Sequence, residues 1–302
     1  MEIYLPIAGM SVNLFFLIGM GAVVGFLSGL FGVGGGFLLT PLLIMIGIPP
    51  SIAAASSVNQ LVATSVSGAY AHKRMGHVDV KLGIVVLLGG IIGGTLGVQA
   101  VRLLREGGMV DIVIKLLYVG VLGTIGSFMF YEGMMALRGR APMGNGFLAQ
   151  VRDALCRLPF QTQMEFRTAG IKICPVFPFA LGLLVGVLLA IMGVGGGFLL
   201  VPALIYVLGV PTLVSIGTSL FQIVFTTMHV TFMQAILNHN VDMILALLLL
   251  VGAVIGAQWG ARYSQKVQPD WLRIFLAIII FLVVVVLLVD LVRKPEFLIS
   301  IG

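Results

Sequence analysis

The chain has 302 residues, 60% hydrophobic and 9% charged, with a net charge of +6 and a mean hydropathy of +1.17. A soluble domain carries about 25% charged residues, so this composition excludes a large water-soluble core and requires lipid as part of the solvent. The positive charge sits in a few loops with no basic stripe interleaved with aromatics, which excludes a nucleic-acid surface and reads as a membrane topology signal.

In chain order, apolar runs fall at 12–31, 36–48, 51–71, 80–101 and 110–131, and again at 178–192, 197–208, 213–237, 242–261 and 271–292. No basic region or small-residue cleavage site precedes the first run, so it reads as a membrane segment and not as a removed signal peptide. Several runs reach the roughly 20 residues needed to cross hydrocarbon. Those at 36–48, 178–192 and 197–208 are too short to cross comfortably, and each abuts a glycine cluster.

The chain repeats itself. Gly32-Val33-Gly34-Gly35-Gly36-Phe37-Leu38-Leu39 recurs as Gly193-Val194-Gly195-Gly196-Gly197-Phe198-Leu199-Leu200. Around it Gly21 and Gly25 match Gly182 and Gly186, Pro41 matches Pro202, Ser57 matches Ser219, and Gln60 matches Gln222. Further on, His77-Val78-Asp79 matches Asn240-Val241-Asp242, and Gly89, Gly93 and Gly97 match Gly252, Gly256 and Gly260. The expected division is a first transmembrane repeat over 1–137, a basic cytoplasmic linker over 138–177, and a second transmembrane repeat over 178–302. An odd number of crossings per half inverts the second half. That holds if all five runs cross, or if the first two form a hairpin and three cross.

Loop charge orients the chain. A cytoplasmic linker places Arg138, Arg140, Arg152, Arg157, Arg167 and Lys172 inside, along with Lys73, Arg74, Arg262 and Lys266. Arg102, Arg105, Arg293 and Lys294 are the misfits. Both termini are therefore expected outside, because the rule describes a bias in Lys and Arg. Within the linker, Phe147, Val151, Leu155 and Leu158 recur at helical spacing, which fits a short amphipathic helix on the membrane surface or a mobile tether.

Three constellations could carry function. Glycine at this density disfavours helix by roughly 1 kcal/mol per residue relative to Ala, so breaks are expected at Gly34, Gly35 and Gly36 and at Gly195, Gly196 and Gly197. A broken helix inside a bilayer must face protein or a water-filled cavity, and the restarted helix presents N–H groups that favour an anion. Two such breaks related by an inverted repeat are the recurring frame of secondary transporters; the bland alternative is that the glycines only allow close packing. Polar residues inside the third run of each half come second: Ser56, Ser57, Asn59 and Gln60, and Thr218, Ser219 and Gln222. They are candidate substrate contacts, or else interhelical hydrogen bonds. The glycine ladders 89/93/97 and 252/256/260 are small-xxx-small spacing and read as helix packing.

All Asp and Glu fall in loops or near run ends. Asp79 and Asp242 are expected to cap the helices that follow them. No carboxylate stands mid-span, where proton relays usually place one. His229 lies within a run; it is a candidate proton-responsive group or a hydrogen-bonded structural histidine.

The paired glycine segments, the inverted halves and the basic central loop resemble the TauE/SafE sulfite exporter family, also called the toluene-sulfonate uptake permease family, over essentially the whole chain. The resemblance implies a substrate class of sulfite, thiosulfate and sulfonates such as sulfoacetate. The resulting expectation is an all-α polytopic membrane bundle of two inverted-topology repeats with re-entrant or discontinuous helices. It would sit in the bacterial inner membrane with a cytoplasmic linker and periplasmic termini. It would move a small organosulfur or sulfur-oxyanion substrate by alternating access, with export favoured; a passive anion channel or an uptake permease is the alternative. No enzyme activity, cofactor, metal or nucleic-acid partner is expected. Lipid surrounds the protein, and a homodimer is left open.

Overall fold

The computed structural model describes residues 2–31, 35–137, 164–264 and 269–293. Among them one helix stands for each apolar run. The first half holds α1 (Leu14–Phe31), α2 (Gly36–Met45), α3 (Pro50–Arg74), α4 (Val80–Glu106) and α5 (Val110–Leu137). The second holds α6 (Val176–Met192), α7 (Gly197–Tyr206), α8 (Thr212–Met233), α9 (Met243–Ser264) and α10 (Pro269–Arg293), with a π-helical turn at Gln234–Asn238 extending α8. Segments Val80–Glu106, Val110–Phe128, Thr212–Asn238 and Met243–Gly260 are long and apolar enough to cross a membrane. The chain is an all-α polytopic membrane protein.

Two antiparallel hairpins were not foreseen. β1 (Glu2–Leu5) pairs with β2 (Met10–Asn13) just before α1, and β3 (Met164–Phe166) pairs with β4 (Ile171–Ile173) just before α6. Composition puts 164–173 in the linker. In the structure Phe166, Ala169 and Ile173 are buried against Leu200, Leu204 and Leu208 of the second half, because the apolar residues of this short segment need cover. Residues Phe147 to Leu158, where an amphipathic helix is expected, lie outside the described residues.

Helices from opposite halves pack on each other. α1 lies along α9, and α4 along α6. Gly21, Gly25 and Gly29 face the main chain of Leu249, Ala253 and Ala257 in turn, and Gly182 and Gly186 face Val86 and Gly90, so both pairs run parallel. A Cβ on Gly93 would collide with the carbonyl of Leu183, and one on Gly256 with that of Ala22. The ladders therefore set the close approach, as small-xxx-small spacing leads one to expect.

The short helices return the way they came. The β position of Gly47, just past α2, lies 4.0 Å from Met10 Cε in the hairpin before α1. Leu208 and Val210, past α7, cluster with Phe166 and Ile173 of the second hairpin. Thus α1–α2 and α6–α7 are helical hairpins, followed among the described residues by three longer helices in each half. Outermost, α5 packs against α10 through Ile114, Tyr118 and Leu122 and through Ile280, Val283 and Leu287. Their other faces expose Leu116, Phe128, Phe275, Ile278, Leu282 and Val285, a surface suited to lipid.

Two aspartates tie the halves together. Asp79 Oδ1 caps α4 through Leu82 N at 3.0 Å, while its Oδ2 accepts from Thr168 N and Ala169 N, each at 3.0 Å, in the second hairpin. Asp242 Oδ1 caps α9 through Leu245 N at 3.1 Å, while its Oδ2 accepts from Ile7 N at 3.0 Å and Ala8 N at 3.4 Å in the first hairpin. The helix caps are those anticipated; the second set of bonds was not.

Candidate functional site

Both glycine segments interrupt helix. α6 ends at Gly193, a left-handed cap with φ +70° whose N–H reaches Leu189 O, and helix resumes at Gly197. A side chain at Gly193 would be strained by this φ and would also strike the carbonyl of Ala54, so glycine serves both demands. In the first half helix resumes at Gly36 after Gly35; Gly34 lies outside the described residues.

The restarted helices meet. The β position of Gly36 lies 2.5 Å from Gly193 O and 3.1 Å from Gly195 N, and Leu61 of α3 is 2.9 Å from the β positions of both Gly36 and Gly195. Phe37 and Phe198, one residue into α2 and α7, stack with centroids 4.9 Å apart at 13°. Gly35 to Leu39 and Ile191 to Phe198 are buried throughout. The breaks thus adjoin one another inside the protein, walled by α3 and α8.

The polar residues of α3 and α8 divide into two groups. Ser56 Oγ accepts from Asp242 N, and Thr218 Oγ1 from Asp79 N, both at 3.1 Å; these hydroxyls hold the aspartate loops. Ser57 Oγ donates to Ala53 O at 2.6 Å and accepts from Thr40 at 2.9 Å. The second group is unfinished. Gln60 is fully buried with neither amide atom partnered, and Ser219 is fully buried with an unpartnered hydroxyl. Gln222 donates through Nε2 to Thr226 Oγ1 at 2.6 Å, while Oε1 has no partner and lies 3.7 Å from the β position of Gly196, at the start of α7. Asn59 is half-buried. An unpaired buried amide or hydroxyl costs about 1–3 kcal/mol, so three such groups on the two helices that wall the breaks are groups that a polar ligand would complete.

Several contributors escape a reading of the sequence alone. Gly90 of α4 leaves the room that Gln222 fills: its β position is 2.6 Å from Gln222 Nε2. Ser65, fully buried and also unpartnered, matches Thr227 at the offset that pairs Gln60 with Gln222, a hydroxyl pair on the same two helices. Tyr118, inside the apolar run 110–131, is buried and donates to Met192 O at 2.6 Å, bracing the end of α6 beside the break. A tyrosine in the middle of an apolar run is itself the clue, since a buried phenol seeks an acceptor. His229 shares a 2.9 Å hydrogen bond with Thr95 of α4 and is half-buried.

A Xylella fastidiosa (strain 9a5c) protein named "Probable membrane transporter protein" is 31% identical over 256 residues, covering 84% of this chain and 86% of the relative. The Bacillus subtilis proteins "Probable membrane transporter protein YjnA" and "YunE" are 28% and 25% identical, over 90% and 88% of this chain and 97% and 94% of their own lengths. No solved structure matches. The Sulfite exporter TauE/SafE family matches residues 17–287, a span that takes in both glycine breaks, both polar helices and both buried aspartates, and the chain belongs to that family.

Proposed function

We propose that the protein carries a small sulfur-containing anion of the sulfite, sulfonate or thiosulfate class across the bacterial inner membrane, with export favoured. The observation that carries this reading is the meeting of the two helix restarts, with Gln222 Oε1 at the start of α7, together with the hydrogen-bonding capacity left unused on buried Gln60, Ser219 and Gln222 of the helices that wall them. Helix starts favour anions, and neutral amides and hydroxyls bind oxyanion oxygens without a fixed counter-charge. No Lys, Arg, Asp or Glu occurs between residues 176 and 241, so the anion would be held by dipoles and would remain easy to release.

Burial of these groups favours a carrier over an open pore. The two helical hairpins would rock or gate against each other around the site. We place the linker in the cytoplasm and both termini in the periplasm, following the loop charges. The helical hairpins, followed by three longer helices in each half, support the division into inverted repeats separated by the linker.

The test is efflux from proteoliposomes loaded with sulfite, thiosulfate, sulfoacetate, taurine or sulfate. Saturable efflux of one sulfur anion, with thermal stabilisation of the purified protein by that anion, is the expected result. Flux that never saturates, or that equals protein-free vesicles for every anion, overturns the reading.

A further inference from the structure

Matching residues in the two halves do different things with their hydrogens. Ser57 has one hydroxyl proton, given to Ala53 O at 2.6 Å, and it accepts from Thr40 of α2 at 2.9 Å. It has nothing left to donate. Ser219, its counterpart on α8, is equally buried and has no partner at all. The residue of α7 that matches Thr40 is Val201, which carries a methyl where Thr40 carries its hydroxyl.

We infer that Ser219, and not Ser57, is the hydroxyl that donates to an oxygen of the bound anion, and that the Thr40/Val201 difference between the halves decides this. The inference rests on the transport reading above and assigns the site a polarity that the repeat alone does not have. Ser219 lies one turn before Gln222 on α8, and Gln222 Oε1 faces Gly196 at the start of α7. A buried hydroxyl with no partner is a standing penalty in the empty protein, and a ligand oxygen removes it. The occupant is therefore an oxyanion with at least one oxygen free to accept, as in sulfite or a simple sulfonate. Val201 and Thr are nearly isosteric, so V201T rebuilds the arrangement around Ser57 in the second half. The new hydroxyl binds the Ser219 oxygen, and the Ser219 proton turns to the carbonyl of Ser215, which matches Ala53.

The experiment is isothermal titration of the purified full-length protein with sulfite and with methanesulfonate, for wild type, S219A, V201T and V201A. S219A and V201T are expected to weaken binding about tenfold, the loss of one hydrogen bond to a charged ligand. V201A keeps wild-type affinity, because it adds no hydroxyl. Ligand-free S219A melts no lower than wild type, since it deletes only an unpaired group. S219A that binds like wild type overturns the role of the hydroxyl. V201T that binds like wild type overturns the Thr40/Val201 switch. A wild type that binds neither anion removes the transport reading and this inference together, an outcome distinct from the other two.

Discussion

Asp242 Oδ2 accepts the main-chain N–H of Ile7 at 3.0 Å, joining residues 235 positions apart and from different halves of the chain. Asp79 makes the matching bonds to Thr168 and Ala169. In D79N and D242N the remaining carbonyl oxygen can keep the helix cap, but the hairpin amides then meet an amide nitrogen. Each variant is expected to lose about 1.5–3 kcal/mol, the range for hydrogen bonds to a charged acceptor. The double variant should lose the sum, as independent sites do. Thermal unfolding in detergent checks this; single variants that melt like wild type would show the carboxylates to be dispensable.

The parallel helix pairs give a contrast between two glycines of one helix. The β position of Gly19 meets nothing within 4 Å, whereas that of Gly25 runs into the main chain of Ala253. G19A should hold or raise stability, by up to about 1 kcal/mol from helix propensity. G25A should lower it, since main-chain atoms of α9 must move. Equal melting temperatures for the two would deny that α1 and α9 are in close contact.

Gln60 and Gln222 provide the direct test of the site. Q60A and Q222A should each weaken anion binding by about 1.5–3 kcal/mol while the protein still purifies as a folded species. Calorimetric titration with the best anion is the measurement, and wild-type affinity in both variants would make these amides packing elements.

Energetics supply a fourth expectation. An anion leaving an inside-negative cell is driven outward by about 2.3 kcal/mol per charge per 100 mV. With no carboxylate between residues 176 and 241, flux should follow the membrane potential and the substrate gradient alone. Proteoliposomes clamped at several potentials, with proton and sodium gradients applied one at a time, decide it. Accumulation driven by either ion gradient would sink the uncoupled mechanism.

Most of the helical frame was legible because lipid makes the code simple: each apolar run became a helix, and each glycine cluster a break. The hairpins were not, because strands of three or four residues carry too little periodicity beside a long apolar run. Their signal was in the repeat. Ala8-Gly9 and Ala169-Gly170 stand at the same offset as Gly32 and Gly193, so extending the match toward the N-terminus would have exposed both turns. Ser56 and Thr218 looked like site residues because hydroxyls in a membrane helix invite that reading. Each is instead taken by a main-chain N–H from the other half, a pairing that local sequence does not encode. Two charges that misfit the loop bias are occupied locally: Arg105 binds Asn238 O at 2.6 Å and Asn240 Oδ1 at 2.5 Å, and Arg102 pairs with Glu106 at 3.3 Å.

The exchanged aspartate bonds have a consequence for ancestry. A chain made of one half alone would carry a buried carboxylate with no hairpin to bind and a hairpin turn with no carboxylate to bind it. A second copy, inserted upside down beside the first, would satisfy both at once. On the inverted topology proposed above, the arrangement would be that of a dual-topology pair fused end to end. It follows that severing the chain in the linker and producing the pieces together should return the same assembly, whereas either piece produced by itself should be degraded.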